Sequence, residues 1–366
     1  MLTSPARWAE VDLSAVAHNV RLLRAGIPAH ARLIAVVKAN GYGHGAREVG
    51  RAALQAGADL LGVSTPAEAV ALAGVCGMDR VLALGGLAPQ TLPEAVAAGC
   101  ALVCHSAELA DALELAVPAG ERRDVHLKVD TGMGRLGCRP EEAPALASRI
   151  ARSPRLRLAG TMTHFASAES DEAMTRAQFA RFQEVLSTLQ VPPGLRHAAN
   201  SAAALRHPDL ALDGVRCGIA LYGCEWPQLR PALRLRALVT QVRRLGAGQT
   251  VGYNAIWQAP RDSLIATVGA GYADGVLRAR SSRGAVVVRS RRAPLVGRVS
   301  MDQLTLDVTD VPGVRPGDEA TLIGDGISAE EVAGWSGTSS YEVLCAIGPR
   351  VRRLYVGGGT EPPPSG

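Results

Sequence analysis

Two lysines stand out in a chain that otherwise carries its positive charge on arginine. The 366 residues contain 39 lysines and arginines, of which only Lys38 and Lys128 are lysine. Lys38 lies in AVVKANGYGHG, and Lys128 lies in KVDTGMGRLG, seven residues before Arg135. Unlike arginine, lysine can lose its proton and attack a carbonyl carbon. A lysine at a strand end therefore suggests a Schiff base, and pyridoxal 5′-phosphate is the leading aldehyde cofactor for one.

The elements that would position these lysines follow an alternating pattern. Helical stretches separate most of eight short apolar runs: LIAVVKA, DLLGVS, RVLALGG, ALVCHS, VHLKVD, LAGTMTHF, LRHAAN and GVRCGIALYG. One helix opens with a capping box at Thr65 and Glu68. Eight strand–helix units predict an α/β fold, a (β/α)8 TIM-type barrel, whose usual size is about 250 residues. Runs this short fix the count only to within one strand.

The pattern changes at about residue 229. Strand-like runs then follow one another with Gly and Pro turns between them, and one late helix has a capping box at Ser328 and Glu331. We therefore predict a barrel over residues 1–228 and a C-terminal β-rich domain over residues 229–357. The last residues, 358–366, are rich in Gly and Pro and are predicted to be a disordered tail.

The C-terminal ends of barrel strands collect functional groups. Five of the predicted strands bring unusual residues to that end: Lys38, Lys128 with Arg135, His164, Asn200 with Ser201, and Arg216. Taken singly, His164 could be a buried core histidine and Arg216 a partner in a surface ion pair; their convergence favours a site. Ser201 and the amides of Gly218 and Ile219 are candidate donors to a phosphate.

Composition argues against several other classes of protein. The net charge is +5, but arginines are scattered and aromatic residues make up only 4% of the chain, so we expect no nucleic-acid partner. No apolar run is long enough to span a membrane, and the N-terminal residues lack the apolar core of a secretion signal. Seven cysteines without a CxxC spacing predict neither a disulfide framework nor a metal site. We expect a cytoplasmic protein.

Taken together, the motifs resemble those of the alanine racemase family. The resemblance runs from about residue 7 to residue 355 and rests on many segments: RWAEVDLSAVAHNVRLLR, AVVKANGYGHG, KVDTGMGRLG, THFA, AANSAA, VRCGIALYG, VGYNA, GYADG and GRVSMDQLTLDVTD. It implies a barrel followed by a β domain, in agreement with the pattern above. It also implies a homodimer with shared active sites that racemises alanine by a two-base mechanism and supplies D-alanine for peptidoglycan.

The resemblance further implies a role for each matching residue. Lys38 would carry the cofactor and act as one base, and Tyr253 of the partner subunit would be the other. Arg216 would face the pyridine nitrogen, with His164 beside it. Tyr42 would contact the phosphate, and Asn200, Ser201, Gly218 and Ile219 would also bind the cofactor. Arg135 and the Met301 backbone would hold the substrate carboxylate. Tyr272 and Asp302 of the partner subunit would line the entrance, and Lys128 would be a lysine that CO2 can convert to a carbamate.

One position departs from the family pattern. The family often has a tyrosine that touches the phosphate in the segment that here reads IGPRVRR, and Pro349 stands in its place. Proline has no hydroxyl, so that contact is missing and a wider pocket is expected. The alternatives to an alanine racemase are a serine or broader-specificity racemase, a decarboxylase on the same plan, and a non-catalytic pyridoxal phosphate carrier. For Lys128 the alternative is an ordinary ion pair with Asp130 or another acid.

Overall fold

The computed structural model describes residues 6–358. A first strand, β1 (Arg7–Asp12), precedes eight parallel strands: β2 (Arg32–Val36), β3 (Leu60–Val63), β4 (Val81–Ala83), β5 (Leu102–Cys104), β6 (Arg123–Lys128), β7 (Leu156–Met162), β8 (Leu195–His197) and β9 (Gly214–Cys217). Their order in the sheet is β4-β3-β2-β9-β8-β7-β6-β5. A parallel bridge between Leu82 and Ala101 joins the two ends, so the sheet closes. The eight-stranded barrel predicted from the sequence is confirmed.

Helices connect the strands of the barrel. They are α1 (Leu13–Gly26), α2 (Lys38–Tyr42, a single turn whose inner residues have left-handed backbone), α3 (Ala46–Gln55), α4 (Pro66–Ala71), α5 (Leu92–Ala97), α6 (Ala107–Ala116), α7 (Ala143–Arg152), α8 (Glu172–Thr188) and α9 (Ser201–Arg206). The predicted capping box starts α4: the Thr65 hydroxyl accepts from the Glu68 amide, and the Glu68 carboxylate accepts from the Thr65 amide. The strands are buried on both faces, as expected where helices cover a parallel sheet.

The second part of the chain is rich in strands. These are β10 (Leu233–Leu245), β11 (Thr250–Val251), β12 (Trp257–Gln258), β13 (Ser263–Val268), β14 (Ala285–Val288), β15 (Arg291–Pro294), β16 (Leu304–Asp307), β17 (Glu319–Ile323) and β18 (Arg352–Val356). The long strand β10 pairs antiparallel with β1, β13 and β17. Burial alternates along its first half, which puts one face on a core. The predicted late helix is α10 (Ala329–Ser336), with its capping box, and α11 (Ser340–Cys345) follows.

The chain forms two compact units. One comprises residues 17–41 and 46–221; the other comprises residues 6–16, 42–45 and 222–358. The N-terminal strand β1 belongs to the strand-rich unit, because it pairs with both β10 and β18. The sequence alone assigned residues 1–228 to the barrel, since nothing in a six-residue strand reveals its partners. The predicted barrel boundary at residues 1–228 stays a prediction. The compact unit that contains the barrel strands begins at residue 17 rather than residue 1 and ends at residue 221 rather than residue 228.

The cysteines, the helix lengths and the grouping of metal-binding side chains relate to the expectations drawn from composition. All seven cysteines lie in the described residues and are free thiols. No helix within residues 6–358 has the length and apolar character of a membrane span. Within the same residues, no group of three His, Cys, Asp or Glu side chains is placed to hold a metal ion. The predicted tail lies outside the described residues except for Gly358.

Candidate active site

Lys38 opens a left-handed turn just beyond the C-terminal end of β2. Ala39 and Asn40 both have φ 52° and ψ 48°, and Gly41 has φ 62° and ψ 45°. Left-handed backbone costs a non-glycine residue about 1–2 kcal/mol, so two in succession need support from their surroundings. The Gly41 amide donates to the Val37 carbonyl at 2.7 Å. Backbone strain of this kind concentrates at functional positions.

The support for this turn comes from Glu68. Its Oε1 accepts a hydrogen bond from the Ala39 amide at 2.8 Å, while its Oε2 accepts from the Ser64 amide at 2.7 Å and the Thr65 amide at 3.3 Å. The capping-box carboxylate of α4 therefore also tethers the residue that follows Lys38. The sequence predicted the capping box but gave no sign of this second contact.

Arg216 is the most heavily hydrogen-bonded side chain at this end of the barrel, and it is only 4% exposed. Its Nη1 donates to Nδ1 of His197 at 2.7 Å and to the His197 carbonyl at 2.9 Å. Its Nη2 donates to the carbonyls of Thr163 and Ala198, and lies 3.1 Å from Nδ1 of His164. Within residues 6–358 none of these bonds uses Nε, so the Nε–H remains available to a ligand. Burial lowers the pKa of Arg216 to about 10, which leaves it charged at neutral pH.

The histidines around Arg216 are neutral. Burial, and then the charge of Arg216, lower the pKa values of His164 and His197 well below the usual range. Because arginine only donates hydrogen bonds, Nδ1 of each histidine must accept, and the ring proton of each sits on Nε2. His197 in turn contacts His126, with 2.8 Å between Nε2 and Nδ1. His164 therefore presents an N–H donor at its far end.

Lys128 ends β6 and is 7% exposed. Among residues 6–358 its amine has no hydrogen-bond or ion-pair partner; Asp130 instead accepts from the amides of Gly132 and Met133. Burial first, and then the charges of Arg216 and Arg135, lower the pKa of Lys128 to about 8. The uncharged amine is therefore a minor but accessible form near neutral pH, roughly one molecule in ten at pH 7. Arg135 is exposed beyond β6 and has no acidic partner in the described residues.

The ends of β8 and β9 bring together the predicted phosphate donors of the barrel. Asn200 is the N-cap of α9, and its Oδ1 accepts from the Ala203 amide at 3.0 Å. The Ser201 hydroxyl accepts from the Gly218 amide at 2.9 Å, which places it beside the turn that contains Ile219. The Ser201 O–H and the helix start are a donor set suited to an anion. The Gly218 amide, also predicted as a donor, is engaged by Ser201.

Tyr42 belongs to the strand-rich unit and is buried. Its ring packs on Tyr222 at 4.8 Å and on Tyr341 at 6.0 Å between centroids. Burial, with a smaller contribution from Cys345, raises the pKa of the Tyr42 phenol above its usual value. The hydroxyl therefore stays protonated and keeps a proton to donate.

The other predicted residues of the strand-rich unit lie around the segment from Gly297 to Asp302. Tyr253 is 68% exposed, and Gly252 before it packs against the Arg298 backbone. The Tyr272 amide donates to the Ser300 carbonyl at 3.0 Å, and the next amide donates to the Met301 carbonyl. Asp302 pairs with Arg350 at 2.7 Å, and Arg350 also reaches the buried Asp274 at 3.1 Å. Pro349 is exposed in the turn before Arg350.

Sequence reasoning missed His126, His197 and the second role of Glu68. A signal existed for His126, because it lies two residues before Lys128 on the same strand and must share the inward face with it. His197 is the last residue of β8 and directly precedes the motif AANSAA. Nothing in the sequence pointed to Glu68 beyond the helix cap.

The comparisons with known proteins agree across the whole chain. Family models for the alanine racemase N-terminal and C-terminal domains match residues 11–225 and 232–355. The alanine racemase of Desulforamulus reducens is 41% identical over 365 residues, covering 96% of this chain and 99% of that protein. The structure of alanine racemase from D-cycloserine-producing Streptomyces lavendulae has a TM-score of 0.91 and 37% identity, covering 97% and 98% of the two chains. The alanine racemase of Bacillus anthracis with bound L-Ala-P has a TM-score of 0.91 and 36% identity, covering 98% and 97%.

Proposed function

This chain belongs to the alanine racemase family, and from that premise we propose that it interconverts L-alanine and D-alanine with pyridoxal phosphate bound at the C-terminal end of the barrel. The observation that carries the proposal is the arrangement of Arg216. It lies on β9, next to β2, with every terminal N–H engaged by the barrel and its Nε–H available. The strained turn that begins at Lys38 follows the neighbouring strand.

The donor set of this chain fits pyridoxal phosphate. The Lys38 amine would hold the aldehyde carbon, the Nε–H of Arg216 would face the pyridine nitrogen, and Ser201, the Ile219 amide and Tyr42 would donate to the phosphate. When bound, the cofactor supplies an electron sink that makes the Cα proton of the amino acid removable. Arg216 donates without giving up its proton, so it leaves the ring nitrogen unprotonated and weakens that sink. A weaker sink favours return of the proton to Cα.

Two groups on opposite faces of Cα are needed to remove the proton from one side and return it to the other. We assign these roles to Lys38 and to Tyr253 of the partner subunit. The tautomer of His164 supports the second assignment, because its Nε2–H can donate to a phenolate and so help a tyrosine to act as a base. Arg135 and the Met301 backbone would hold the substrate carboxylate. Tyr272 and Asp302 would line the entrance.

A homodimer with shared sites is consistent with the exposed surface of the strand-rich unit. Large contiguous apolar patches on a protein surface often mark a site of protein–protein contact. The predicted second base, Tyr253, is itself exposed, and so are three further large side chains of the strand-rich unit: Ile256, Tyr272 and Met301. A second copy of the chain would cover them and bring Tyr253 of the partner subunit to the barrel.

Lys128 is proposed to carry a carbamate formed with CO2. Only a neutral amine adds to CO2, and a pKa of about 8 leaves a far larger neutral fraction near pH 7 than the usual lysine pKa of 10.5 does. The resulting anion would hold Arg135 through charge-assisted hydrogen bonds, whereas an ammonium would repel it. Replacing Lys128 with Ala should remove most activity, and acetate or chloride should restore part of it by filling the anion position. Full activity of Lys128→Ala without an added anion would favour an ordinary buried lysine.

The proposed product, D-alanine, would serve peptidoglycan synthesis in the cytoplasm. Pro349 lacks the hydroxyl of the tyrosine often found there, and the wider pocket would admit amino acids other than alanine. The direct test measures racemisation of alanine, serine, lysine and arginine by the purified protein, wild type beside Lys38→Arg. We expect alanine to be preferred, and Lys38→Arg to lose both activity and the visible absorbance of the bound cofactor. A Lys38→Arg protein with unchanged colour and rate would refute the assignment of Lys38.

A further inference from the structure

Behind Arg216 lies a pair of buried histidines, His197 and His126, to which the proposed mechanism gives no role. We propose that His126 is a positioning residue for the racemisation reaction: it holds His197 in the tautomer that accepts a hydrogen bond from Arg216, and thereby fixes the direction of the Arg216 Nε–H. The proposal rests on the proposed function only for its catalytic consequence. The hydrogen-bond directions themselves follow from the chain alone.

Arg216 determines the direction of each hydrogen bond in the series from Arg216 through His197 to His126. Arg216 has only donors, so Nδ1 of His197, at 2.7 Å from Nη1, must accept. A neutral His197 then carries its proton on Nε2. That N–H lies 2.8 Å from Nδ1 of His126, which must therefore accept it, and the proton of His126 is left on its own Nε2. Reversing any one of these bonds would set two donors against each other.

The close approach of the two rings depends on Gly160. A Cβ at that position would lie 2.4 Å from Nδ1 and 2.6 Å from Cε1 of His126. The backbone of Gly160 does not need a positive φ, so it is space rather than conformation that calls for glycine there. His126 and His197 are 5% and 0% exposed, so the contact between their rings is shielded from bulk solvent. Glycine at this position of β7 leaves the space that the hydrogen bond between the two rings requires.

The charges around the pair favour neutral rings. The positive charges nearest the pair are Arg216, on the strand β9 next to that of His197, and Lys128, two residues after His126 on β6; the acid Asp124 lies two residues before His126 on β6. Burial lowers the pKa of His126 to about 4, with Asp124 opposing and Arg216 adding to the effect. His126 therefore remains an acceptor across the range in which an enzyme of this kind works. A protonated His126 would break the bond to His197.

Without His126, the tautomer of His197 would no longer be fixed by a hydrogen-bond acceptor. The Nε2–H of His197 would be buried without an acceptor, and the ring could move its proton to Nδ1, where it would face the donors of Arg216. Arg216 would then shift from its position, and its Nε–H with it. Because the substrate carboxylate is assigned to Arg135 and Met301, the change should appear in kcat far more than in KM.

The first experiment reads the tautomers directly. The holoenzyme is prepared with 15N-labelled histidine, and the two ring nitrogens of His197 and His126 are assigned with the His197→Gln and His126→Leu proteins. We expect an unprotonated Nδ1 and a protonated Nε2 on both rings at pH 7. A protonated Nδ1 on His197 would overturn the proposal whatever the variants do, and whether or not the enzyme racemises alanine.

The second experiment uses His126→Leu and His126→Asn. The Asn amide oxygen is as many bonds from Cα as Nδ1 of histidine, so it can accept from His197, whereas leucine cannot. We expect His126→Leu to lower kcat about tenfold with little change in KM, since one buried hydrogen bond is lost. We also expect it to change the pH dependence of the visible spectrum of the bound cofactor. His126→Asn should restore both.

Each outcome of this comparison decides between two roles. Equal impairment of the Leu and Asn proteins, or an unchanged spectrum and kcat in a folded His126→Leu protein, would mean that His126 only fills space. If the wild-type protein does not racemise alanine, the proposed function fails while the tautomer measurement stands. If His126→Leu does not fold, the wild-type tautomers and the His126→Asn protein still decide.

Discussion

The tether between Glu68 and the Lys38 turn can be broken without removing the helix cap. Replacing Glu68 with Gln turns one carboxylate oxygen into an NH2 group. The remaining oxygen should face the Ser64 and Thr65 amides, because two donors lie on that side and only the Ala39 amide lies on the other. The NH2 group then opposes the Ala39 N–H. Glu68→Gln should therefore keep the capping box and lose the tether.

The size of the effect follows from the bond that is lost. A hydrogen bond to a charged acceptor contributes about 1.5–3 kcal/mol, and here it also holds two non-glycine residues in left-handed backbone. If the tether orders the turn for the cofactor, its loss should weaken cofactor binding by roughly 10- to 100-fold, since 1.4 kcal/mol corresponds to a factor of ten. We would measure the dissociation constant by titrating the cofactor-free protein and following visible absorbance.

Two matched controls separate the tether from general destabilisation. Thr65→Ala removes the other half of the same capping box and should cost about 1 kcal/mol of stability without weakening cofactor binding. Glu331→Gln changes the equivalent carboxylate in the capping box of α10. Cofactor affinity that is unchanged in Glu68→Gln, or that falls equally in Thr65→Ala, would refute the idea that Glu68 acts through the Lys38 turn.

Two further predictions test the shared site and the substrate pocket. Inactive Lys38→Ala chains refolded with inactive Tyr253→Phe chains should recover part of the activity, because one site of the mixed dimer carries neither defect. If the mixture stays inactive while refolded wild-type protein recovers, the sites are not composite. Pro349→Tyr should tighten cofactor binding by at most about 1.5–3 kcal/mol, the value of one hydrogen bond to a charged phosphate. It should also lower the ratio of the serine rate to the alanine rate. Unchanged cofactor affinity together with an unchanged rate ratio would show that Pro349 does not determine the width of the substrate pocket.

The barrel could be predicted from sequence because its signal is local. Each of the eight strands is a short apolar run bounded by turn residues, and all eight were found. Pairing in the strand-rich unit is not local: β1 lies next to β10 and β18, and a short strand with alternating burial is compatible with many partners. The same limit applies to the missed contacts. Glu68 meets Ala39, and His126 meets His197, through pairings that only the folded chain creates.

The proposed roles also give a chemical reason for lysine at the two positions where this arginine-rich chain uses it. Arg216 is as deeply buried as Lys128, yet its pKa remains about 10, so it serves as a fixed donor whose proton never leaves. Lys128, in the same end of the barrel, falls to about 8 and can present an uncharged amine. The proposed roles of Lys38 and Lys128 both require a nitrogen that bonds to carbon, and a guanidinium at working pH cannot supply one. Under these proposed roles, arginine stands where the positive charge must stay and lysine stands where the nitrogen must lose its proton.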